Sequence, residues 1–349
     1  MRLAALVLFA LGLAPPAPEL ELPSLPAVPA PPGPSPNKQR GVALGLFAED
    51  VSFSYVPLLE EIAALGATHV ALVVPMYQGH GGSSKLRWHT RLSPSMAATA
   101  EAVRAAHRAG LAVTLFPIVR LEAPRPGEWR GTLAPEDPAA WFDSYQSLLG
   151  DLAAVATLTG VTRLAVGSEL SSLDGDLERW RPVIEKIRAL FGGALLYSAN
   201  WDHYKEARLY ELVDEVGVVG YFNLREKDGP SDVTALVNRW RWERGKLEAW
   251  SRLIDKPFVF TELGYRSRAG SSAEPWNEGP GGSADLDEQR RAFAAFRRTW
   301  TTPSKEFPAA ALEGVYIWNW YGYGGPASVG YTPRGKPAVE EIKLLLQEL

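Results

Sequence analysis

Two glutamates stand out because each one directly follows a short apolar segment. Glu169 follows the run 163–168, and Glu262 follows the run 258–261. A carboxylate at the end of a buried strand is costly unless it is paired or used in chemistry. Two of them on separate strands suit a retaining glycoside hydrolase, in which one carboxylic acid protonates the leaving oxygen and one carboxylate attacks the sugar. We predict that both glutamates are catalytic; the alternative for each is a structural ion pair.

The segments that must position these glutamates alternate in type along the chain beyond Gly41. The predicted strands are Val42–Leu46, His69–Val74, Ala112–Pro117, Arg163–Gly167, Ala194–Ser198, Val216–Gly220, Phe258–Thr261 and Val315–Ile317. The predicted helices are Pro94–Ala109, Trp141–Thr157, Leu177–Leu190, Thr234–Leu253, Leu286–Trp300 and Pro337–Leu349. This alternation predicts an α/β protein of the (β/α)8 TIM-barrel type. A doubly wound open sheet is disfavoured because no glycine-rich phosphate turn follows the first strand.

In a TIM barrel, functional residues lie at the carboxyl ends of the strands. The residues that we predict to bind substrate there are Trp129, Arg130, Asn200, Trp201, His203, Tyr221, Arg266, Trp276, Trp318 and Trp320. Trp276 lies in the glycine- and serine-rich segment 269–284, a candidate mobile loop over the cleft. Aromatic faces and fixed hydrogen-bonding groups around two carboxylates are typical of a sugar site. For each of these residues, ordinary packing or loop anchoring is the alternative.

The bulk composition sets limits on the partners and cofactors of this chain. It has 349 residues, a net charge of -4 and 46% hydrophobic residues, enough for one large barrel. The absence of a long basic run argues against nucleic acid. There is no cysteine, and the five histidines show no metal-ligand spacing, so we predict no metal and no organic cofactor. The expected partner is a polysaccharide or oligosaccharide, and we expect a monomer.

The N-terminal region has the pattern of an export signal followed by a spacer. We predict a signal peptide over residues 1–17, a proline-rich linker over 18–40 and a catalytic domain over 41–349. The apolar stretch Leu3–Ala14 is short for a bilayer span. We therefore expect a secreted or cell-envelope protein without stable membrane insertion after processing; an uncleaved anchor is the alternative.

Eight segments carry a resemblance to glycoside hydrolase family 113, a family of (β/α)8 retaining glycosidases whose members act on β-1,4-mannans. The segments are 128–131, 141–145, 166–170, 197–202, 219–222, 260–267, 275–276 and 318–320. The resemblance implies that Glu169 is the acid/base and Glu262 the nucleophile, so Glu169 would be protonated and Glu262 ionised before reaction. It also implies β-1,4-mannan or its oligosaccharides as the substrate.

The chain departs from the family pattern after the third predicted strand. Phe116-Pro117-Ile118 stands where we expect a basic residue before the proline. This departure leaves open a hydrolase of another β-glycan. A catalytically weak or inactive glycan-binding barrel of the cell envelope is the further alternative.

Overall fold

The computed structural model describes residues 38–302 and 311–349, and within them eight parallel strands close into a barrel. In chain order the strands are β1 (Gln39–Gly45), β2 (His69–Gln78), β3 (Ala112–Leu121), β4 (Arg163–Ser168), β5 (Ala194–Ala199), β6 (Glu215–Val219), β7 (Phe258–Leu263) and β8 (Leu312–Ile317). Each strand pairs with the next, and β1 also pairs with β8 in parallel, which closes the barrel. The predicted (β/α)8 TIM-barrel fold is confirmed.

Seven α-helices surround the barrel in the described part of the chain. They are α1 (Val56–Ala64), α2 (Met96–Arg108), α3 (Pro138–Thr159), α4 (Leu177–Leu190), α5 (Val233–Ile254), α6 (Leu286–Trp300) and α7 (Ala338–Glu348). Helix α1 was not among the predicted helices, because its nine residues span only about two turns of apolar periodicity. Between β5 and β6 the connection contains a 3-10 turn, Leu209–Leu212, instead of an α-helix.

Aspartates cap the N-termini of four of these helices. They therefore fix the points where the loops that follow the strands end and the helices begin. Asp137, Asp176, Asp232 and Asp285 each accept a hydrogen bond from a backbone N–H of the following first turn. Such caps satisfy donors that the helix itself cannot pair. The positions of α3 and α6 thus limit the loops that follow β3 and β7.

Two layers of apolar side chains hold the barrel together. One layer lies between the strands and the helices, and the other fills the barrel interior with residues such as Phe116, Leu196, Val219 and Tyr316. Because both faces of each strand are covered, the strands appear in the sequence as continuous apolar runs. Side chains alternate along a strand, so every second residue can point into the barrel toward the site.

The N-terminal predictions fall mostly outside the described residues. The predicted signal peptide and nearly all of the proline-rich linker lie within residues 1–37, and β1 begins at Gln39. The proposed domain boundaries and export therefore stay predictions. Across 38–302 and 311–349, no helix has the length and apolar character needed to cross a membrane.

Candidate active site

Glu169 is buried directly after β4 in an unusual backbone conformation. Its φ is 54°, in the left-handed region, and its N–H donates to the Ser198 carbonyl oxygen at 2.8 Å. A residue with a side chain pays on the order of 1 kcal/mol or more for this conformation. The bond to β5 holds the turn in place, which aims the Glu169 carboxyl at the mouth of the barrel.

An arginine from the neighbouring loop binds the Glu169 carboxylate. Arg130 lies in the short 3-10 turn Arg130–Thr132 between β3 and α3. Its Nε donates to Glu169 Oε2 at 2.8 Å, and its Nη2 donates to the same oxygen. Both side chains are largely shielded from solvent, so the ion pair is stronger than one at an open surface.

Glu262 is buried near the end of β7 and is only half satisfied. The Tyr221 hydroxyl, two residues beyond β6, donates to Glu262 Oε2 at 2.9 Å. The other carboxyl oxygen, Oε1, has no hydrogen-bond partner among the described residues. Since buried polar atoms are nearly always paired, an unpaired carboxyl oxygen marks a place where a reacting atom can bind.

The two glutamates share one electrostatic environment. Burial, followed by the negative charge of Glu169, raises the pKa of Glu262 to about 8, while Arg130 and the Tyr221 hydrogen bond oppose the rise. A raised pKa favours the neutral form of the Glu262 carboxyl near neutral pH. The attack that the resemblance implies for Glu262 requires the ionised form instead.

A cavity of about 270 Å³ opens beside this pair. It is lined by Phe47, Ile118, Arg120, Arg130, Arg266, Glu278, Trp318, Asn319, Gly330 and Tyr331. The strands β1, β3, β7 and β8 or their loops all contribute to it. It combines an aromatic wall with charged groups, and Arg130 connects it to Glu169.

The sequence matches the family model of Glycoside Hydrolase Family 113 over residues 45–324. The chain belongs to glycoside hydrolase family 113. No functionally curated protein matches it. Among solved structures it is similar to the family 113 β-mannanase AaManA from Alicyclobacillus acidocaldarius in complex with ManMIm, with 25% identity, a TM-score of 0.77, and 89% of this chain and 97% of that chain covered.

Two further solved structures support the fold assignment. A family 113 β-1,4-mannanase shares 22% identity, with a TM-score of 0.76 and coverage of 89% of this chain and 99% of that chain. A β-D-glucuronidase for Dictyoglomus thermophilum shares 17% identity, with a TM-score of 0.60 and coverage of 90% and 51%. Family membership makes the protein a glycosidase.

In this family 113 enzyme, four of the residues predicted to bind substrate lie close to the glutamates or line the cavity beside them. Tyr221 binds Glu262 and Arg130 binds Glu169, while Arg266 and Trp318 line the cavity. Trp318 is largely buried and belongs to the apolar cluster inside the barrel.

Three residues were predicted after β5. Each of them contacts a nearby side chain, and among the described residues none forms a hydrogen bond with Glu169 or Glu262. Asn200 Nδ2 donates to Asp202 Oδ1 at 2.7 Å, and His203 Nε2 lies 3.2 Å from Asp174 Oδ1. The half-buried ring of Trp201 packs edge-on against Phe222. These contacts order the β5–β6 connection.

Three predicted tryptophans also have structural partners away from the glutamates. Trp320 Nε1 donates to Glu61 Oε2 at 2.7 Å and lines a separate groove beside α1. Trp276 Nε1 donates to Asn223 Oδ1 at 3.1 Å, which ties the β7–α6 loop to the β6 loop. The Trp129 ring is partly exposed and packs over Gly131. A Cβ atom at position 131 would lie only 2.3 Å from the ring, so the packing requires glycine there.

Sequence reasoning did not single out Glu278 and Tyr331, which line the same cavity. Glu278 lies in the glycine-rich 269–284 segment, where no periodicity indicates which side chain faces inward. The Tyr331 hydroxyl donates to the Pro275 carbonyl oxygen at 2.5 Å. Chain segments that are far apart in the sequence thus meet at this cavity. The sequence signal for Glu278 is weak: it is an isolated charge in the loop that follows β7.

In the ranges 38–302 and 311–349, no group of three or more His, Cys, Asp or Glu side chains has a metal-binding arrangement.

Proposed function

We propose that this family 113 glycosidase cleaves β-1,4-mannan or manno-oligosaccharides with retention of configuration. The observation that carries the proposal is the pair of buried carboxyls at the ends of β4 and β7, whose charges interact beside one cavity. The similarity to two family 113 mannanases supports the choice of substrate.

In the first step Glu262 is the nucleophile. The hydrogen bond from Tyr221 orients the carboxylate through Oε2 and leaves Oε1 available to attack the anomeric carbon. The glycosidic C–O bond breaks as Glu169 donates its proton to the leaving oxygen. Glu262 must first give up its proton, so substrate binding has to favour the arrangement with the proton on Glu169.

In the second step a water molecule hydrolyses the glycosyl-enzyme. Glu169, now ionised, removes a proton from the water, whose oxygen attacks the same carbon and releases Glu262. Two inversions restore the original configuration. The guanidinium of Arg130 suits this stage, because it stabilises the charge on Glu169 until the carboxylate takes up the proton.

The proposal is tested by product release from β-mannan and mannohexaose with the full-length protein and its Glu262→Gln variant. We expect the variant to lose activity by a factor of about 10⁴ or more, because no carboxylate remains to form the covalent intermediate. Glu340→Gln, at an exposed position on α7, is the matched control and should keep full activity. Proton NMR should show the β-anomer as the first product.

Two results would contradict the proposal. An α-anomer as the first product would exclude the double displacement. Binding of mannohexaose with no product from the parent protein would favour the alternative of a barrel that binds glycan without cleaving it. The Arg130–Glu169 ion pair is the observation that keeps this alternative open, since it holds the acid group in a paired state.

A further inference from the structure

Three arginines line the cavity beside the catalytic pair, and two of them have no carboxylate partner. Arg130 pairs with Glu169. Arg120 and Arg266 form no ion pair with any residue in the described part of the chain. Unpaired arginines in a concave site are unusual, because guanidinium groups there normally bind a carboxylate or another anion.

Arg266 is held in place by uncharged groups. Its Nε donates to the Val329 carbonyl oxygen at 3.2 Å, and its Nη1 donates to the Gly279 carbonyl oxygen at 2.7 Å. Carbonyl dipoles orient the guanidinium without neutralising it. The group is therefore fixed in one position and keeps its positive charge toward the cavity.

Two further cations lie behind Arg266. Arg268 donates to the Gly279 and Asn277 carbonyl oxygens, and Lys336 Nζ donates to Ser267 Oγ at 2.8 Å. Burial, and then the charge of Arg266, lowers the pKa of Lys336 to about 8. The positive charge of Arg266 thus acts on the neighbouring Lys336 and disfavours its protonated form.

Arg120 approaches the cavity from the other side. It ends the inward-facing row of β3 that includes Phe116 and Ile118, and its guanidinium carbon lies 5.7 Å from the centre of the Phe47 ring. The side chain is exposed. A basic residue is thus present on β3, two positions beyond Ile118, on the same face of the strand.

The negative groups at the cavity do not balance these cations. Glu278 is exposed on the cavity wall, Glu169 is paired with Arg130, and burial raises the pKa of Glu262 and so favours its neutral form. Neutral sugar hydroxyls need no such excess of positive charge. An anion at this position would bind two guanidinium groups that form no ion pair in the described part of the chain, since Glu278 acts on Arg266 only from a longer distance.

We propose that the cavity binds a carboxylate or sulfate group carried by the glycan, next to the bond that is cleaved. The inference rests on the proposed hydrolysis of a β-linked, mannan-type chain and adds a charged substituent to that chain. Arg120 and Arg266 bind the anion from opposite sides. Arg130 lines the same cavity, so its positive charge adds to the attraction for the anion.

The test compares three tetrasaccharides with the same β-1,4 manno backbone: neutral mannotetraose, tetramannuronate and sulfated mannotetraose. Binding is measured by calorimetry on full-length Glu262→Gln, and turnover is measured on the parent enzyme. We expect one or both acidic sugars to bind at least about tenfold more tightly than the neutral sugar, with an advantage that shrinks as salt is raised. The two acidic ligands separate a carboxylate from a sulfate as the group recognised.

Arg120→Gln, added to Glu262→Gln, should remove most of that advantage. Arg120 is exposed and, within residues 38–302 and 311–349, donates no hydrogen bond to the backbone; its side-chain partner is the Tyr77 hydroxyl. We therefore expect the variant to fold. Arg104→Gln, an exposed arginine on α2, is the matched control and should leave it unchanged. Arg266→Gln, which removes the other unpaired guanidinium, is the second variant and should also lower the advantage.

Equal or tighter binding of mannotetraose would overturn the inference, and so would an acidic advantage that survives Arg120→Gln and Arg266→Gln. Both results leave the proposed mannan hydrolysis standing if the parent enzyme cleaves mannotetraose. Failure of the parent to cleave any of the three sugars would instead count against the proposed function, while the binding data would still decide whether the cavity prefers an anion.

Discussion

The two ends of the barrel differ in how completely their buried polar groups are hydrogen-bonded. At the end where the strands begin, Glu215 accepts from Arg163 Nε at 2.8 Å and from Gln39 Nε2 at 3.3 Å. The Tyr316 hydroxyl donates to Gln39 Oε1 at 2.9 Å and lies 3.0 Å from Thr114 Oγ1. At the other end, Glu262 Oε1 and Ser168 Oγ are buried without partners among the described residues.

The difference indicates which end serves stability and which serves chemistry. Every charged group of the first network meets an opposite charge or a hydrogen-bond partner, so removing one of them can only lose free energy. The end that holds Glu169 and Glu262 keeps a buried carboxyl with a raised pKa and a glutamate in the left-handed conformation, and both cost free energy in the folded state.

The largest expected effect is on activity at the catalytic end. Glu169→Gln should lower kcat on mannohexaose by about 10²–10⁴-fold, because no acid then protonates the leaving oxygen. An aryl β-mannoside with a dinitrophenol leaving group needs little protonation, so its glycosylation rate should fall far less. An equal loss on both substrates would show that Glu169 is not the acid. Pre-steady-state kinetics measure the two rates.

Glu215→Gln tests the opposite end of the barrel. It leaves Arg163 largely buried with a weaker partner, and we expect the free energy of unfolding to fall by about 3 kcal/mol. Activity per folded molecule should stay unchanged. Urea denaturation gives the stability, and loss of activity in the folded fraction would contradict the division between the two ends.

Glu262→Gln should stabilise the protein although it abolishes activity. The pKa of Glu262 rises from 4.5 to about 8 on folding, so between these values the unfolded chain has released a proton that the folded protein keeps. Stability must therefore fall as the pH rises through this window. The variant lacks this penalty, and we expect a gain of about 2 kcal/mol near pH 7. Thermal unfolding from pH 4 to 9 measures it; a gain independent of pH would contradict the cause.

The smallest expected effects come from a matched pair of tyrosines. Tyr221→Phe removes the donor to Glu262 and should lower kcat about tenfold with little loss of stability. Tyr316→Phe removes the bonds to Gln39 and Thr114, and it should lower stability by about 1 kcal/mol with kcat unchanged. Similar losses of kcat in both variants would show that the two ends are not separate.

The barrel could be predicted because its signals are local. All eight strands appear in the sequence as apolar runs, since strands covered on both faces need apolar residues at every position. Helices such as α4 and α6 match their predicted bounds, because amphipathic periodicity and aspartate caps coincide there. Helix α1 was missed because two turns are too short for periodicity to stand out.

The placement of the binding residues could be predicted less well. A strand end brings a residue to the correct rim of the barrel but does not determine its rotamer or its partners. Trp320 and His203 lie at such ends, yet Glu61 and Asp174 bind them away from the catalytic pair. Glu278 and Tyr331 reach the cavity from irregular loops, for which the sequence contains no periodic signal.

The amino-acid sequence was sufficient to indicate the barrel, the two strand-end glutamates and the membership of family 113, because buried strands, the residues that follow them and the family motifs are short contiguous segments. The raised pKa of Glu262 and the excess of positive charge at the cavity came only from the tertiary structure. Both depend on distances between β3, β4, β7 and β8 that no local pattern contains. Burial and neighbouring charge decide how a carboxyl or guanidinium group behaves, and folding alone sets them.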